Sequence, residues 1–178
     1  LEPCSVNNQN PCTSGTLNTV TSFNQDTKDH FSFSYNLANG ADGTNDFRRF
    51  AGGLVSFTDL TLLDTTNGVI LGLKGTGATG GKLKLVFEDQ GGRKVTVRVE
   101  NLNGSFQNYL VTKAILDQAG VTNFDGTKIK FISTVVDDTT TGSKTAQGTV
   151  EVNTKGLQFN PQAQVTANPV TDLSTKQP

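Results

Sequence analysis

The sequence contains no tryptophan, no methionine, a single histidine and no long apolar run. Because a bilayer-spanning helix needs about 20 apolar residues, and because no basic amphipathic helix is present, we expect no membrane span. The 15 lysines and arginines nearly balance the 16 aspartates and glutamates, and no basic run is long enough to neutralise several phosphates. Nucleic acid is therefore not an expected partner.

The single histidine, His30, leaves little material for catalysis, because it would have to serve as the only imidazole base. Its position at the start of a predicted strand favours a surface histidine over a catalytic one. Glycoside hydrolysis requires two carboxylates across a cleft. The acidic candidates are of the kind that any β-protein carries on solvent-facing strands, namely Glu88, Asp89, Glu100 and Glu151. We therefore expect that the protein is not an enzyme.

Glycine, threonine, asparagine and valine are abundant among the 178 residues, and good helix formers are scarce. This composition favours strands and turns, so an all-β fold is expected, and the length suits one domain with a substantial core. The absence of methionine and the opening residues LEPC are typical of a processed end. They predict an exported protein that is secreted or held at the cell surface.

The two cysteines, Cys4 and Cys12, lie close together in a polar N-terminal segment. A zinc site usually needs four ligands, and neither a second cysteine pair nor a nearby histidine is present. A disulfide bond would tie down a segment that has few apolar side chains, and it would suit an oxidising compartment. The alternative is a pair of reduced thiols in a loose tail. We expect residues 1–15 to form a disulfide-closed segment.

Alternation of apolar and polar residues predicts a series of short strands over residues 16–157. The clearest pair is KLKLVFED (82–89) and KVTVRVEN (94–101), which Gly91 and Gly92 join as a hairpin. Many short strands with frequent turns are typical of a β-sandwich or barrel.

Other segments are less regular. Gly52 and Gly53 predict a turn or bulge in FRRFAGGLVSF, and residues 108–116 fit either a strand or a short helix. Residues 127–138 are expected to form a central strand that is buried on both faces. The chain beyond residue 157 loses its periodicity and gains proline and glutamine, so residues 158–178 are expected to be a tail or linker.

The segment GTGATGG (75–81) contains the glycine spacing of a dinucleotide-binding loop. Such a loop must be followed by a helix whose N-terminus holds the pyrophosphate, whereas KLKLVFED has the period of a strand. A Walker A loop is also excluded, because Thr76 and Leu83 stand where glycine and Ser or Thr are required. A glycine-rich hairpin turn is the expected structure.

Oxygen-rich side chains occur in several predicted loops, at DGTND (42–46), at Asp137 and Asp138, and near Asn153. Carboxylates and carbonyls are the ligands that Ca²⁺ prefers, although none of these stretches is an EF-hand sequence. The alternative is that they are ordinary turn residues.

A family resemblance extends over roughly residues 16–157. It is carried by FRRFAGGLVSFTDLTLLDTTNGVILGLKGTG, KLKLVFEDQGGRKVTVRVENLNGSFQNYLV, FDGTKIKFISTVVDD and GTVEVNTKGL. In the order of these strands and turns the chain resembles galactose-binding-like β-sandwiches, in particular bacterial carbohydrate-binding modules and CIA30-type domains. The resemblance implies a jelly-roll β-sandwich of two antiparallel sheets, without catalytic activity, in an extracellular protein.

The resemblance also implies a metal site. Modules of this type often hold a structural calcium ion between the first strands and the last strand. The matching positions in this sequence are Asn24, Asp46 and Asn153. The family more often has a carboxylate at the first and last of these positions.

Sugar sites in the family use tryptophan or tyrosine rings, whose flat faces stack on the C–H face of a pyranose. With no tryptophan, the candidates in this chain are its two tyrosines. Tyr35 alternates with two phenylalanines and is expected in the core. Tyr109 lies in the polar context SFQNYL, so it is the expected exposed platform, with Gln107 and Asn108 as its hydrogen-bonding partners.

These observations predict a non-catalytic extracellular module that binds carbohydrate or mediates adhesion at the cell surface. The alternative is a self-assembling structural subunit of an extracellular fibre or surface layer, in which the terminal segments pair with neighbouring copies by strand addition. The expected partners are a glycan or further copies of the chain.

Overall fold

The computed structural model describes residues 19–27, 30–40, 49–56, 69–77 and 81–153. These residues contain nine β-strands: β1 (Val20–Thr27), β2 (His30–Asn36), β3 (Phe50–Ser56), β4 (Val69–Gly77), β5 (Leu83–Asp89), β6 (Lys94–Val99), β7 (Gln107–Val111), β8 (Ile129–Asp137) and β9 (Gln147–Asn153).

The described residues also contain three short helical segments: a 3₁₀ turn (Leu37–Gly40), α1 (Lys113–Gln118) and α2 (Asp138–Thr141). Within the described ranges, no helix is long and apolar enough to cross a membrane.

Part of what the sequence predicts lies outside the described residues. The predictions for Cys4, Cys12 and Asp46 are among these, as are those for the segments 1–15 and 158–178. They stay predictions.

The described strands form two antiparallel sheets. One has the strand order β1-β2-β9-β4-β7 and the other the order β3-β8-β5-β6. Consecutive strands often lie in different sheets, as β2 and β3 do, so the chain crosses repeatedly between the two layers. The predicted all-β jelly-roll sandwich of two antiparallel sheets is confirmed.

The inward faces of both sheets contribute to one hydrophobic core. In β2 the side chains of Phe31, Phe33 and Tyr35 are buried, and the polar residues between them are only half-buried. β5 buries Leu85 and Phe87 by the same alternation. Burial of each large apolar side chain stabilises the fold by roughly 1.5–3 kcal/mol. The prediction that Tyr35 belongs to the core is confirmed.

β5 and β6 form the hairpin that the sequence predicts. Its turn is anchored by Asp89, whose fully buried carboxylate accepts hydrogen bonds from the Arg93 backbone N–H, the Arg93 Nε–H and the Asp125 backbone N–H at 2.8–2.9 Å. Burial alone would raise the pKa of Asp89, but these donors outweigh it and hold the pKa below 3.8. The carboxylate thus ties the hairpin to the loop before β8.

β3 runs directly through Gly52 and Gly53, so the predicted turn or bulge is wrong. A side chain at Gly52 would collide with the backbone carbonyl oxygen of Thr134, and one at Gly53 would collide with the ring of Phe31. The glycines permit close packing of β3 against β8 and against the opposite sheet.

β8 lies between β3 and β5, as expected for a central strand, but its burial alternates along most of its length. The prediction of burial on both faces is therefore wrong. Residues 108–116 contain both of the predicted alternatives. β7 ends at Val111, and the side-chain oxygen of Thr112 then caps α1 by accepting a hydrogen bond from the Ile115 backbone N–H.

The strands on either side of the glycine-rich segment, β4 and β5, belong to different sheets and do not pair, so the predicted hairpin is wrong. Gly77, at the end of β4, and Gly81, before β5, have φ angles of 140° and 58°, which other residues rarely adopt. The strand expected at KLKLVFED is confirmed, so the helix that a dinucleotide loop requires does not follow this segment.

Candidate functional site

The outward face of the five-stranded sheet carries a group of polar side chains that we call the polar face. Because side chains alternate along each strand, these residues point away from the core. They are Ser22, Asn24, Asp26, His30, Ser32, Ser34, Lys74, Thr76, Asn108, Thr149, Glu151 and Asn153, together with Phe106 just before β7.

A row of side chains crosses the middle of the polar face. Lys74 on β4 stands opposite Glu151 on β9, which stands opposite Ser32 on β2. Ser32 stands opposite Asn24 on the edge strand β1, and Phe106 lies over Lys74 at the other end. Five strands at about 4.8 Å spacing make this row roughly 19 Å long.

Phe106 is 45% exposed, and no other large hydrophobic side chain in the described part of the chain is classed as exposed. The centroid of its ring lies 5.7 Å from Lys74 Nζ, within the range of a cation–π contact. The ring also meets the imidazole of His30 edge-on, with centroids 5.9 Å apart. These two contacts hold the ring in place above the sheet while part of it stays open to solvent.

Lys74 and Glu151 form a close ion pair on the polar face. The distance from Lys74 Nζ to Glu151 Oε1 is 2.6 Å, and the two side chains are 28% and 24% exposed. The ammonium group is thus held between a carboxylate on one side and the ring of Phe106 on the other.

His30 lies between two carboxylates. Its Nδ1 is 2.6 Å from Asp26 Oδ1, and its Nε2 is 3.5 Å from Glu151 Oε2. A register shift between Gln25 and Thr27 accompanies the approach of Asp26, as expected where a bulge redirects a side chain. The hydrogen bond from His30 lowers the pKa of Asp26, which is therefore ionised at neutral pH.

Uncharged hydrogen-bonding groups flank the middle row on both sides. On one side the hydroxyl oxygens of Ser34 and Thr149 lie 3.0 Å apart. On the other side Asn108 and Asn153 are both paired with Gly72, which has no side chain to separate them. The polar face therefore combines an exposed aromatic ring with amide, hydroxyl and paired charged groups, an arrangement that suits a polar ligand with a flat apolar surface.

The three residues predicted to bind sugar do not lie on the same face of β7. Tyr109 is only 3% exposed and belongs to the core, so the expectation that it is exposed is wrong. Its hydroxyl donates to Gln107 Oε1 at 2.9 Å, and burial raises the pKa of this phenol. Asn108, between them in sequence, points outward onto the polar face. The binding role assigned to these residues is not tested and stays a prediction.

Two of the three predicted calcium ligands lie on the polar face. Asn24 is on β1 and Asn153 on β9, and β2 lies between these strands. Asp46 is outside the described residues. Within the described ranges, no three His, Cys, Asp or Glu side chains are grouped so that they could hold a metal ion. The two amides by themselves do not complete a calcium site, and the ion stays a prediction.

Phe106 and Lys74 are the residues that sequence reasoning did not single out. Alternation offered a route to Phe106, because if Tyr109 faces the core then Asn108 faces outward, and the residue two positions before Asn108 faces outward as well. Lys74 offered no comparable clue. Its place beside Glu151 depends on the pairing of β4 with β9, which are far apart in the chain.

No protein-family model matches the sequence, and neither does any curated protein. Solved structures do share its fold. An exo-β-agarase matches with a TM-score of 0.51 and 15% identity over 74% of this chain and 21% of that one. The protein PfGH50B matches with a TM-score of 0.50 and 12% identity over 82% of this chain and 23% of that one. These structures share the β-sandwich fold of this chain.

This chain spans only about a fifth of the length of either protein. At such low identity the likeness shows the fold alone. A family 11 carbohydrate-binding module of the cellulosomal cellulase Lic26A-Cel5E of Clostridium thermocellum superposes more loosely. Its TM-score is 0.45 at 12% identity, over 75% of this chain and 78% of that one, which is too distant to support an inference.

Proposed function

We propose that this chain is a non-catalytic module that binds carbohydrate through the polar face, with Phe106 as the platform on which a sugar ring stacks. The observation that carries the proposal is the exposed ring of Phe106, fixed by Lys74 and His30 among hydrogen-bonding side chains. A pyranose offers an apolar C–H face to an aromatic ring and hydroxyl groups to its surroundings. We expect Asn108 and Ser32, which face outward on the same sheet, to bind those hydroxyls.

The fold comparisons support the same proposal. One protein that contains this fold is an exo-β-agarase, and the fold accounts for about a fifth of its length. That share suits one module within a larger carbohydrate-active protein. We expect this module to act outside the cell, either secreted or at the cell surface, where a disulfide and a structural calcium ion are compatible with its environment.

The test is binding to a panel of soluble neutral polysaccharides, measured by affinity gel electrophoresis and then by calorimetry with the best ligand. We expect Phe106→Ala to weaken binding about 30-fold, since loss of an aromatic anchor at a binding hot spot costs about 2 kcal/mol. Phe131→Ala is the matched control. Phe131 is a partly exposed phenylalanine on the other sheet, and Lys130 Nζ lies 4.8 Å from its ring centroid.

The controls separate the polar face from the rest of the molecule. Phe131→Ala should bind as the wild type does, and Tyr109→Phe should do so too if the buried phenol makes no contact with ligand. Loss of binding in Tyr109→Phe with retained folding would restore Tyr109 as the binding residue. If the wild type binds no polysaccharide of the panel, the proposal is wrong.

A second candidate function is self-assembly, and the position of β1 favours it. β1 is an eight-residue strand at the edge of the described five-stranded sheet, and most of its side chains are exposed. An exposed edge of this kind can accept a strand from a neighbouring copy. Concentration-dependent polymers that disappear when residues 1–15 are removed would support this function, whereas a strict monomer at every concentration contradicts it.

A further inference from the structure

We propose that the polar face selects uncharged glycans and discriminates against chains that carry sulfate or carboxylate groups. The inference rests on the proposed function and adds the chemical class of the ligand. It comes from the way in which the charges of the polar face are arranged.

On the outward face of the described strands of this sheet the ionisable side chains are four: Asp26, His30, Lys74 and Glu151. Two carboxylates and one ammonium give a net charge of −1 when the imidazole is neutral. The lowered pKa of Asp26 keeps that carboxylate ionised at neutral pH. An anionic chain lying across this face would therefore meet a surface of its own sign.

Lys74 is the one cation among these four side chains, and it is already engaged. Its Nζ lies 2.6 Å from Glu151 and 5.7 Å from the ring centroid of Phe106, and its side chain is only 28% exposed. A sulfate group that binds this ammonium would lie beside the carboxylate of Glu151, which already neutralises the cation. That carboxylate would then be half-buried beside an anion, which is unfavourable.

A neutral sugar faces no such obstacle. The polar face also carries the uncharged side chains of Asn108, Ser32, Ser34 and Thr149, which can donate or accept hydrogen bonds without breaking the ion pair. Glu151 therefore has a specificity role, because its carboxylate already pairs with Lys74, the cation that an anionic ligand would need.

The experiment compares matched ligands and matched variants. Binding of dextran and dextran sulfate, and of an unsulfated galactan and its sulfated form, is measured for the wild type, Glu151→Gln and Glu88→Gln. Glu88 lies on the outward face of the other sheet, 3.7 Å from Lys94, so its variant changes the net charge equally. We expect the wild type to bind the neutral member of at least one pair and to bind its sulfated form at least tenfold more weakly.

In Glu151→Gln the ammonium of Lys74 loses its carboxylate partner. Affinity for the sulfated member should then rise about tenfold, which is the order of one charge-assisted hydrogen bond. This gain in affinity should fall with added salt. Glu88→Gln should show no such gain. Equal gains in both variants would mean that net charge alone is responsible and would overturn the inference.

Two further outcomes separate this inference from the proposed function. A wild type that binds the sulfated member as tightly as the neutral one, with both lost in Phe106→Ala, overturns the inference and leaves the proposed function standing. A wild type that binds no member of either pair, and no polysaccharide of the wider panel, overturns both.

Discussion

The outward faces of the two sheets differ, although their inward faces build the same core. The five-stranded sheet presents polar and charged side chains around the exposed ring of Phe106. The four-stranded sheet presents partly exposed apolar side chains, Leu54, Val86 and Val135, in register with polar neighbours. Among the described residues, the most exposed aromatic ring, that of Phe106, lies on the five-stranded sheet, whereas Phe131 on the four-stranded sheet is only partly exposed.

Each outward face also carries a lysine–carboxylate pair at 2.6 Å, and the two pairs have different surroundings. Lys84 and Asp137 on the four-stranded sheet are only 14% and 18% exposed. Asp137 also accepts hydrogen bonds from Thr140 at the start of α2, so this pair holds a helix end to the sheet. Lys74 and Glu151 are more exposed and lie beside an open aromatic ring. The first pair therefore has a structural role, and the surroundings of the second agree with the proposed binding role of the polar face.

The largest expected effect is a difference in stability between the alanine variants of two phenylalanines. Phe87→Ala removes a fully buried side chain and should lower the free energy of unfolding by about 3–5 kcal/mol. Phe106→Ala should lower it by less than about 1 kcal/mol, because that ring is 45% exposed. Urea unfolding followed by circular dichroism measures both values. Similar losses in the two variants would show that Phe106 is a structural residue.

The next effect concerns the buried carboxylate at the turn of the four-stranded sheet. Asp89→Asn should lower the free energy of unfolding by about 2–3 kcal/mol at pH 7, because the buried N–H donors of Arg93 and Asp125 are left with a poorer acceptor. The folded-state pKa of Asp89 lies below its ordinary value of 3.8, so its contribution is present above pH 3.8 and is lost as the pH falls through the lower, folded value.

Urea unfolding between pH 7 and pH 2 checks this prediction. The difference in stability between the wild type and Asp89→Asn should be constant above about pH 5 and should shrink below pH 3.8. A difference that does not change with pH would contradict the assigned charge state of this carboxylate.

The smallest effect compares the two ion pairs directly. Lys84→Met should lower the free energy of unfolding by about 1–2 kcal/mol, since it leaves Asp137 largely buried without its cation. Lys74→Met should change it by less than about 1 kcal/mol, because Glu151 is more exposed to water. Thermal unfolding of the two variants under identical conditions provides the measurement. A larger loss for Lys74→Met would reverse the assignment of the two pairs.

Local patterns were enough to predict much of the fold. The alternation of Phe31, Phe33 and Tyr35 identifies the inward face of β2, and the hairpin of β5 and β6 follows from alternating strands joined by two glycines. The predictions failed where packing overrides local preference. Gly52 and Gly53 lie within the continuous strand β3, and glycine is required there because Thr134 and Phe31 approach too closely to leave room for a side chain.

The candidate site was harder to predict. Tyr109 has a polar sequence context, yet it is buried because the register of β7 against β4 places it opposite Leu71. The same register turns Asn108 outward. A polar neighbourhood in sequence does not show which face of a strand a side chain occupies, since the answer depends on the partner strand.

The sequence by itself determined the class of fold, because period-two alternation and turn residues act over a few neighbouring positions. Only the tertiary structure decided the site. His30, Lys74, Phe106 and Glu151 come from four distant parts of the chain, and they meet because the strand order β2-β9-β4-β7 places them side by side. Strand order arises from long-range pairing across both layers of the sandwich, and no local pattern encodes it.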